Sequence, residues 1–150
     1  MHAFARPLAI ALLALAPQPP ALAGGGTCAP VVEAGWLRQP PVAMPMLGGF
    51  ARISNPCTHA TKVVAAHSPA FARVELHETR VVDGVSRMRA VASLDLPAGA
   101  GVELRPGGLH LMLMDPVAPL APGERVPVEF ELDDGRRVGA GFEVRAAGQR

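Results

Sequence analysis

Apolar and polar residues alternate with a period of two along several short stretches of this chain. The stretches 72–77, 126–132 and 138–144 show this alternation most clearly. Successive side chains of a β-strand point to opposite faces, so the pattern predicts strands that are buried on one face. Sixteen prolines and sixteen glycines interrupt the 150-residue chain. This punctuation disfavours long helices and predicts a fold built from short strands.

The turns and weaker strand signals extend this prediction. Asp83–Gly84 and Asp134–Gly135 are each predicted as a two-residue hairpin turn. Weaker strand candidates lie at 31–37, 50–55, 62–66 and 102–104, and a loop is predicted at 119–123. Seven or eight short strands predict an all-β fold, an antiparallel Greek-key β-sandwich of the immunoglobulin-like or cupredoxin-like kind.

The N-terminal segment is predicted to lie outside this domain. A single cation precedes an apolar run at 8–16, and Ala21-Leu22-Ala23 is a small-x-small cleavage signal. Residues 1–23 are therefore predicted to be a signal peptide, and 24–150 the mature domain, exported to the periplasm. The apolar run is about half of a bilayer span, so no membrane span is predicted in the mature protein. A lipoprotein would use Cys28, but the three residues before it make a poor lipobox.

The charge balance excludes one class of partner. Without Arg6, thirteen basic side chains face thirteen acidic ones. Because no basic field exists, binding to nucleic acid is not predicted.

Two cysteines, Cys28 and Cys57, remain after the predicted cleavage. In an oxidising compartment a structural disulfide is the favoured interpretation. A redox-active or metal-binding pair is the alternative, although the CxxC spacing is absent.

The stretch PGGLHLMLMD, at 106–115, carries the first unusual group of side chains. The leucines fall on one face and are expected in the core. His110, Met112 and Met114 fall on the opposite face, which we expect at the outside or rim of the sandwich. Large thioethers at such a position are poorly explained by packing.

A second His–Met pair is predicted from the hairpin around 83–84. A two-residue turn there pairs His77 with Ala90 across the ladder and places Met88 on the same face, within diagonal reach. Local arguments thus group His77 with Met88, and His110 with Met112. Whether the two pairs meet depends on tertiary pairing.

Two imidazoles and two thioethers would form a site without carboxylate or thiolate. Thioether sulfur is soft and selects Cu(I), whereas structural zinc sites use Cys and His and calcium uses oxygen. A blue-copper centre would also need a cysteine. The donor set therefore predicts Cu(I).

The segment 74–116, with GVSRMRAV and RPGGLHLMLM within it, resembles the PCu(A)C family of periplasmic copper chaperones. That family's signature is His, ten residues, Met, twenty-one residues, then His-x-Met, and His77, Met88, His110 and Met112 match it in full. The resemblance implies a cupredoxin-like sandwich that binds one Cu(I) at these four residues. It also implies transfer of copper to the Cu(A) centre of cytochrome c oxidase, to another periplasmic copper chaperone or to a related acceptor.

Several residues near this motif keep two interpretations. Met114 could be a spare ligand, but packing at the rim is favoured. Met44 and Met46 could shield or briefly hold copper, but ordinary loop packing is favoured. Glu78 and Asp115 could hydrogen-bond a ligating histidine, but solvated charge is favoured.

No enzyme is predicted, because the sequence contains neither GxSxG nor HExxH. Two alternatives to the chaperone stay open. One is an exported β-sandwich module for interaction or envelope assembly, without metal. The other is a Cys28/Cys57 reductant that acts on the copper acceptor.

Overall fold

The computed structural model describes residues 28–149, so the predicted signal peptide at 1–23 lies outside the described residues. The described residues form ten strands: β1 (Val31–Arg38), β2 (Met46–Ser54), β3 (Thr61–His67), β4 (Phe71–Val82), β5 (Val85–Ala90), β6 (Leu94–Leu96), β7 (Gly101–Leu104), β8 (Leu109–Pro116), β9 (Arg125–Leu132) and β10 (Arg137–Arg145). Across residues 28–149, we find no helix with the length and apolar character needed to span a membrane.

The strands form one hydrogen-bonded sheet that folds over onto itself. Its order is β5-β4-β8-β2-β1-β10-β9-β3-β6, and β7 pairs with the second half of β2. Leu111 in β8 and Phe130 in β9 lie far apart in this order, yet both are fully buried in one core. The all-β sandwich prediction is confirmed. One pair departs from the antiparallel rule, because β1 and β10 run parallel.

The predicted alternation determines which side chains form the core. Val126, Val128, Phe130 and Leu132 are all buried, and the residues between them are mostly exposed. In β8, Leu111 and Leu113 are completely buried. Removing each such side chain from water contributes about 1.5–3 kcal/mol to folding, so these strands keep a single register.

The first predicted hairpin turn is confirmed. Val82 pairs with Val85, and both residues between them have positive φ, 53° at Asp83 and 75° at Gly84. Two consecutive positive φ values are typical of a type I′ turn, whose twist matches that of the flanking strands.

The second predicted turn is wrong in length. The Leu132 N–H donates to the Arg136 carbonyl, which leaves a loop of three residues, Asp133 to Gly135. Gly135 has a φ of 83°, whereas Asp134 is not among the residues with positive φ. A type I turn followed by a left-handed glycine produces this three-residue loop. An Asp-Gly pair is compatible with both turns, so the sequence alone does not distinguish them.

The N-terminus of the described chain is attached to the sandwich by a disulfide between Cys28 and Cys57. The two cysteines are thus bonded to each other, as the structural interpretation requires. Asn55 organises the same region from a buried position. Its side-chain amide donates to the carbonyls of Leu96 and Pro97, and its side-chain oxygen accepts from the Cys57 N–H.

Candidate metal centre

The β4–β5 hairpin places the first His–Met pair. His77 pairs with Ala90 and Thr79 pairs with Met88, as the two-residue turn predicts. The Val91 N–H donates to the Leu76 carbonyl at 2.8 Å and extends the ladder beyond the strand. His77 and Met88 therefore lie on the same face of the sheet, displaced by two residues. The predicted local grouping is confirmed.

Strand β8 places the second pair. Leu111 and Leu113 point into the core, and His110 and Met112 point to the other face, as expected. The expectation that His110 lies at the outside or rim is wrong, since its side chain is only 7% exposed. The β4–β5 hairpin lies next to β8 in the sheet, and Met88 covers the imidazole. Parity predicts the face of a side chain, but burial depends on what packs over that face.

Pairing between β4 and β8 brings the two local groups together. His77 and His110 are directly opposite each other, and their ring centroids are 6.0 Å apart. The His110 Nε2 atom lies 3.2 Å from the Met88 sulfur. Met88, His110 and Met112 line a surface cavity of about 520 Å³, and His77 lies beside His110 outside the cavity lining.

The hydrogen bonds of His110 determine which of its nitrogens can bind a metal. Its Nδ1 lies 2.9 Å from the Gly108 carbonyl. A carbonyl oxygen can only accept, so Nδ1 carries the proton and Nε2 of the neutral ring has a free lone pair. In this neutral form the lone pair faces the Met88 thioether. Two donor atoms arranged in this way are suited to sharing a cation.

The same reasoning applies to His77. Its Nε2 lies 3.0 Å from a carboxylate oxygen of Glu75. An ionised carboxylate can only accept, so Nε2 donates and Nδ1 has the lone pair. Among the described residues, Nδ1 of His77 is the buried side-chain nitrogen that has no hydrogen-bond partner. A buried polar atom without a partner is costly unless a ligand satisfies it, and a metal ion would do so.

The carboxylate that contacts the His77 imidazole belongs to Glu75, whereas the sequence-based candidates are Glu78 and Asp115. Glu75 holds His77, whereas Glu78 pairs with Arg80 and Arg89. The hydrogen bond from Arg80 lowers the pKa of Glu78 from its usual value, and burial partly opposes this shift. The period of two could have identified Glu75, because it shares a face with His77.

The Asp115 carboxylate forms a salt bridge with Arg73 at 3.4 Å. Like Glu78, it contacts an arginine rather than an imidazole. The favoured interpretation as a solvated charge fits Asp115, whose side chain is 53% exposed, whereas the Glu78 side chain is only 18% exposed.

The remaining methionines differ in position. Met44 and Met46 line the same cavity as Met88 and Met112, whereas Met114 pairs with Met46 and does not line it. Within residues 28–149, no cluster of three or more His, Cys, Asp or Glu residues could hold a metal. The described residues that line the cavity include no Asp or Glu. The available donors are neutral and include soft sulfur, a set that suits Cu(I) and not a hard cation.

Comparisons with known proteins agree with this fold. The model of a family described as "Putative lipoprotein LpqE-like" matches residues 31–144. "Putative lipoprotein Lxx21020" of Leifsonia xyli subsp. xyli (strain CTCB07) is 36% identical over 91 residues, which are 60% of this chain. The matched regions are 55% of that relative and 58% of a second one from Rickettsia prowazekii (strain Madrid E), so the chain spans about half the length of the curated relatives it matches.

Solved structures show the same architecture. The solution structure of Cu(I)-DR1885 from Deinococcus radiodurans superposes with a TM-score of 0.59 at 26% identity, covering 81% of this chain and 83% of that one. The copper-bound PCuAC domain of PmoF2 superposes with a TM-score of 0.62 at 20% identity, covering 77% and 91%. The predicted resemblance to the PCu(A)C family and its fold is confirmed. The assignment of His77, Met88, His110 and Met112 as ligands stays a prediction.

Proposed function

Because the chain belongs to the LpqE-like family and shares the fold of copper-binding domains, we propose that it is a Cu(I)-binding metallochaperone. Its ligands would be His77, Met88, His110 and Met112. Copper is the cargo of this protein rather than a catalytic cofactor, and the protein is not an enzyme.

One observation carries the proposal. The His110 Nε2 atom and the Met88 sulfur are 3.2 Å apart, and in the neutral ring with its proton on Nδ1 both atoms present a lone pair. The residues that meet here are 22 positions apart in the chain. Packing alone explains a buried histidine with one hydrogen bond, but it does not explain two facing donors beside a second imidazole with an unsatisfied nitrogen.

The arrangement suits an ion that is bound and then released. All four donors are neutral, so Cu(I) keeps its charge and a thiolate of an acceptor can compete for it. Met88 is 53% exposed, which leaves one side of the site accessible to an acceptor. Transfer would proceed by ligand exchange, in which a bond to the acceptor forms as a bond to a thioether breaks. Copper stays Cu(I), and no electron is exchanged.

The acceptor and the compartment belong to the same proposal. The acceptor would be the Cu(A) centre of cytochrome c oxidase or another periplasmic copper protein. The predicted signal peptide at 1–23 and a mature domain at 24–150 would place the protein in the periplasm. The disulfide supports an oxidising compartment, where such bonds persist. The matched family and a relative are named lipoproteins, but the Cys28 sulfur is bonded to Cys57 here and so is not free to carry a lipid.

The test is an anaerobic titration of the purified protein with Cu(I). We expect one tightly bound equivalent for the wild type and loss of this tight binding in a His110→Ala/Met112→Ala variant. Met114→Ala is the matched control, because Met114 lies on the same face of β8 outside the cavity. An unchanged endpoint in the double variant would refute the site assignment.

Thermal unfolding distinguishes the chaperone from the metal-free interaction module. A ligand that binds only the native state stabilises it by about 2.7 kcal/mol at a concentration one hundred times the Kd. If the protein is a chaperone, Cu(I) should raise its Tm. If it is a metal-free interaction module, Cu(I) should leave the Tm unchanged. A Cys28/Cys57 reductant would require a labile bond, so a disulfide that survives mild reduction argues against it.

A further inference from the structure

Two further thioethers lie beside the proposed site. Met44 is in the loop between β1 and β2, and Met46 is the first residue of β2. Both line the cavity that also contains Met88, His110 and Met112. Four of the chain's six methionines therefore surround one cavity, although they come from three separate parts of the sequence.

These thioethers range from exposed to partly buried. Met44 is 46% exposed, Met46 and Met112 are partly buried, and the His110 side chain behind them is 7% exposed. Gly48 pairs with Met112 across the β2–β8 ladder, so no side chain of β2 stands directly opposite this thioether. The cavity thus contains thioether sulfurs at several depths, from its exposed mouth to the buried His110 imidazole.

The loop that carries Met44 is attached at both ends. The Gln39 N–H donates to the Arg145 carbonyl, and the Gln39 side-chain amide donates to the Leu120 carbonyl at 2.8 Å. At the other end the Asp115 N–H donates to the Pro45 carbonyl at 2.8 Å. The backbone is restricted further by Pro40 and Pro41 between these points and by Pro45 itself. Met44 is therefore held at the cavity, although nearly half of its side chain is exposed to water.

Ordinary packing does not account for this placement. A core methionine fills space among apolar side chains, whereas Met44 contributes a large exposed surface to an open cavity. The cavity lining includes Arg38, whose guanidinium lies over the Phe50 ring at 5.1 Å. With no carboxylate among the described lining residues, the cavity has nothing to attract a hard cation. Its soft sulfurs can still bind a monovalent soft ion.

We propose that Met44 and Met46 form an accessory site for a soft monovalent metal ion, through which Cu(I) enters and leaves the main site. This proposal rests on the proposed function. In transfer, a bond from copper to the Met46 or Met44 sulfur forms while a bond to the Met112 sulfur breaks. The copper stays Cu(I), and no proton or electron moves. The accessory site accelerates exchange and holds the ion less tightly than the main site.

The first experiment locates the metal directly. Full-length protein carrying ¹³C-methyl methionine is titrated with Ag(I), a redox-stable soft probe, and each methyl signal is followed by NMR. The first equivalent should shift Met88 and Met112, and the second should shift Met44 and Met46. Unshifted Met44 and Met46 signals at two equivalents overturn the accessory site. A first equivalent that leaves Met88 and Met112 unshifted refutes the proposed function instead.

The second experiment measures transfer. Protein loaded with one equivalent of Cu(I) is mixed with excess bicinchoninate under anaerobic conditions, and the rate of chelate formation is recorded. A Met44→Leu/Met46→Leu variant should transfer about tenfold more slowly, and Met114→Leu should match the wild type. Leucine conserves the volume of methionine, so folding is retained. Equal rates in the double variant and the wild type overturn the proposal.

Discussion

Replacing Glu75 with alanine tests whether the hydrogen bonds around His77 prepare it for copper. The Glu75 carboxylate accepts from Nε2 at 3.0 Å and keeps the lone pair on the buried Nδ1. Without this acceptor the imidazole is free to adopt the other tautomer or to rotate. We therefore expect Glu75→Ala to bind Cu(I) more weakly with unchanged stoichiometry.

The structure limits the size of this effect. A hydrogen bond to a charged group contributes about 1.5–3 kcal/mol. The Glu75 side chain is 43% exposed, so water competes for it and the lower limit applies. A loss of about 1.4 kcal/mol corresponds to a tenfold weaker Kd. This agrees with the lower limit of about 10-fold to 100-fold measured when such supporting groups are removed.

The assay is an anaerobic competition for Cu(I) against a chromophoric chelator. Glu75→Gln should lose less affinity than Glu75→Ala, because its amide oxygen still accepts from Nε2. Glu78→Gln is the matched control on the same strand, since Glu78 pairs with Arg80 and Arg89. Equal affinities for Glu75→Ala and the wild type would show that Glu75 does not position His77.

Three further predictions concern stability, each measured by urea unfolding. Loss of the disulfide in Cys28→Ser/Cys57→Ser frees a loop with a sequence separation of 29 and should cost about 3.5 kcal/mol without changing Cu(I) stoichiometry; a changed stoichiometry would implicate the cysteines in binding. Leu111→Ala, at a completely buried position, should cost about 2–5 kcal/mol, and a loss well below this range would contradict the single-core packing. The Thr61 hydroxyl donates to Asp133 at 2.6 Å and lowers the pKa of that carboxyl from its usual 3.8. This hydrogen bond therefore stabilises the folded protein above pH 3.8, and the stabilisation is lost as the pH falls through the lowered pKa. Thr61→Val should therefore destabilise the protein at neutral pH and lose this effect in acid; the same difference at both pH values would refute the assigned cause.

Local sequence rules predicted the two His–Met pairs but not that the pairs lie next to each other. A two-residue turn at Asp83–Gly84 relates His77 to Met88, and the period of two relates His110 to Met112. Both relations involve short distances along the chain, where backbone geometry leaves few alternatives. The resemblance to a known family then suggested that the two pairs form one site.

Other local patterns were compatible with more than one structure. The Asp134–Gly135 pair suits both a two-residue and a three-residue hairpin loop, and the structure contains the longer one. For the turn, the choice depends on neighbours that the local sequence does not specify. Glu75 and Glu78 both lie close to His77 in the sequence, but the predicted hairpin register already places Arg89 opposite Glu78.

The sequence by itself determined which faces of β8 and β9 are buried, the register of the β4–β5 hairpin and the softness of the donor set. Only the tertiary structure decided that β4 lies beside β8 with His77 opposite His110, that Met88 covers the imidazole, and that the β1–β2 loop brings two more sulfurs to the cavity. The physical reason is distance along the chain. Turn geometry and side-chain alternation act over a few residues, whereas the pairing of distant strands follows from burying one shared core.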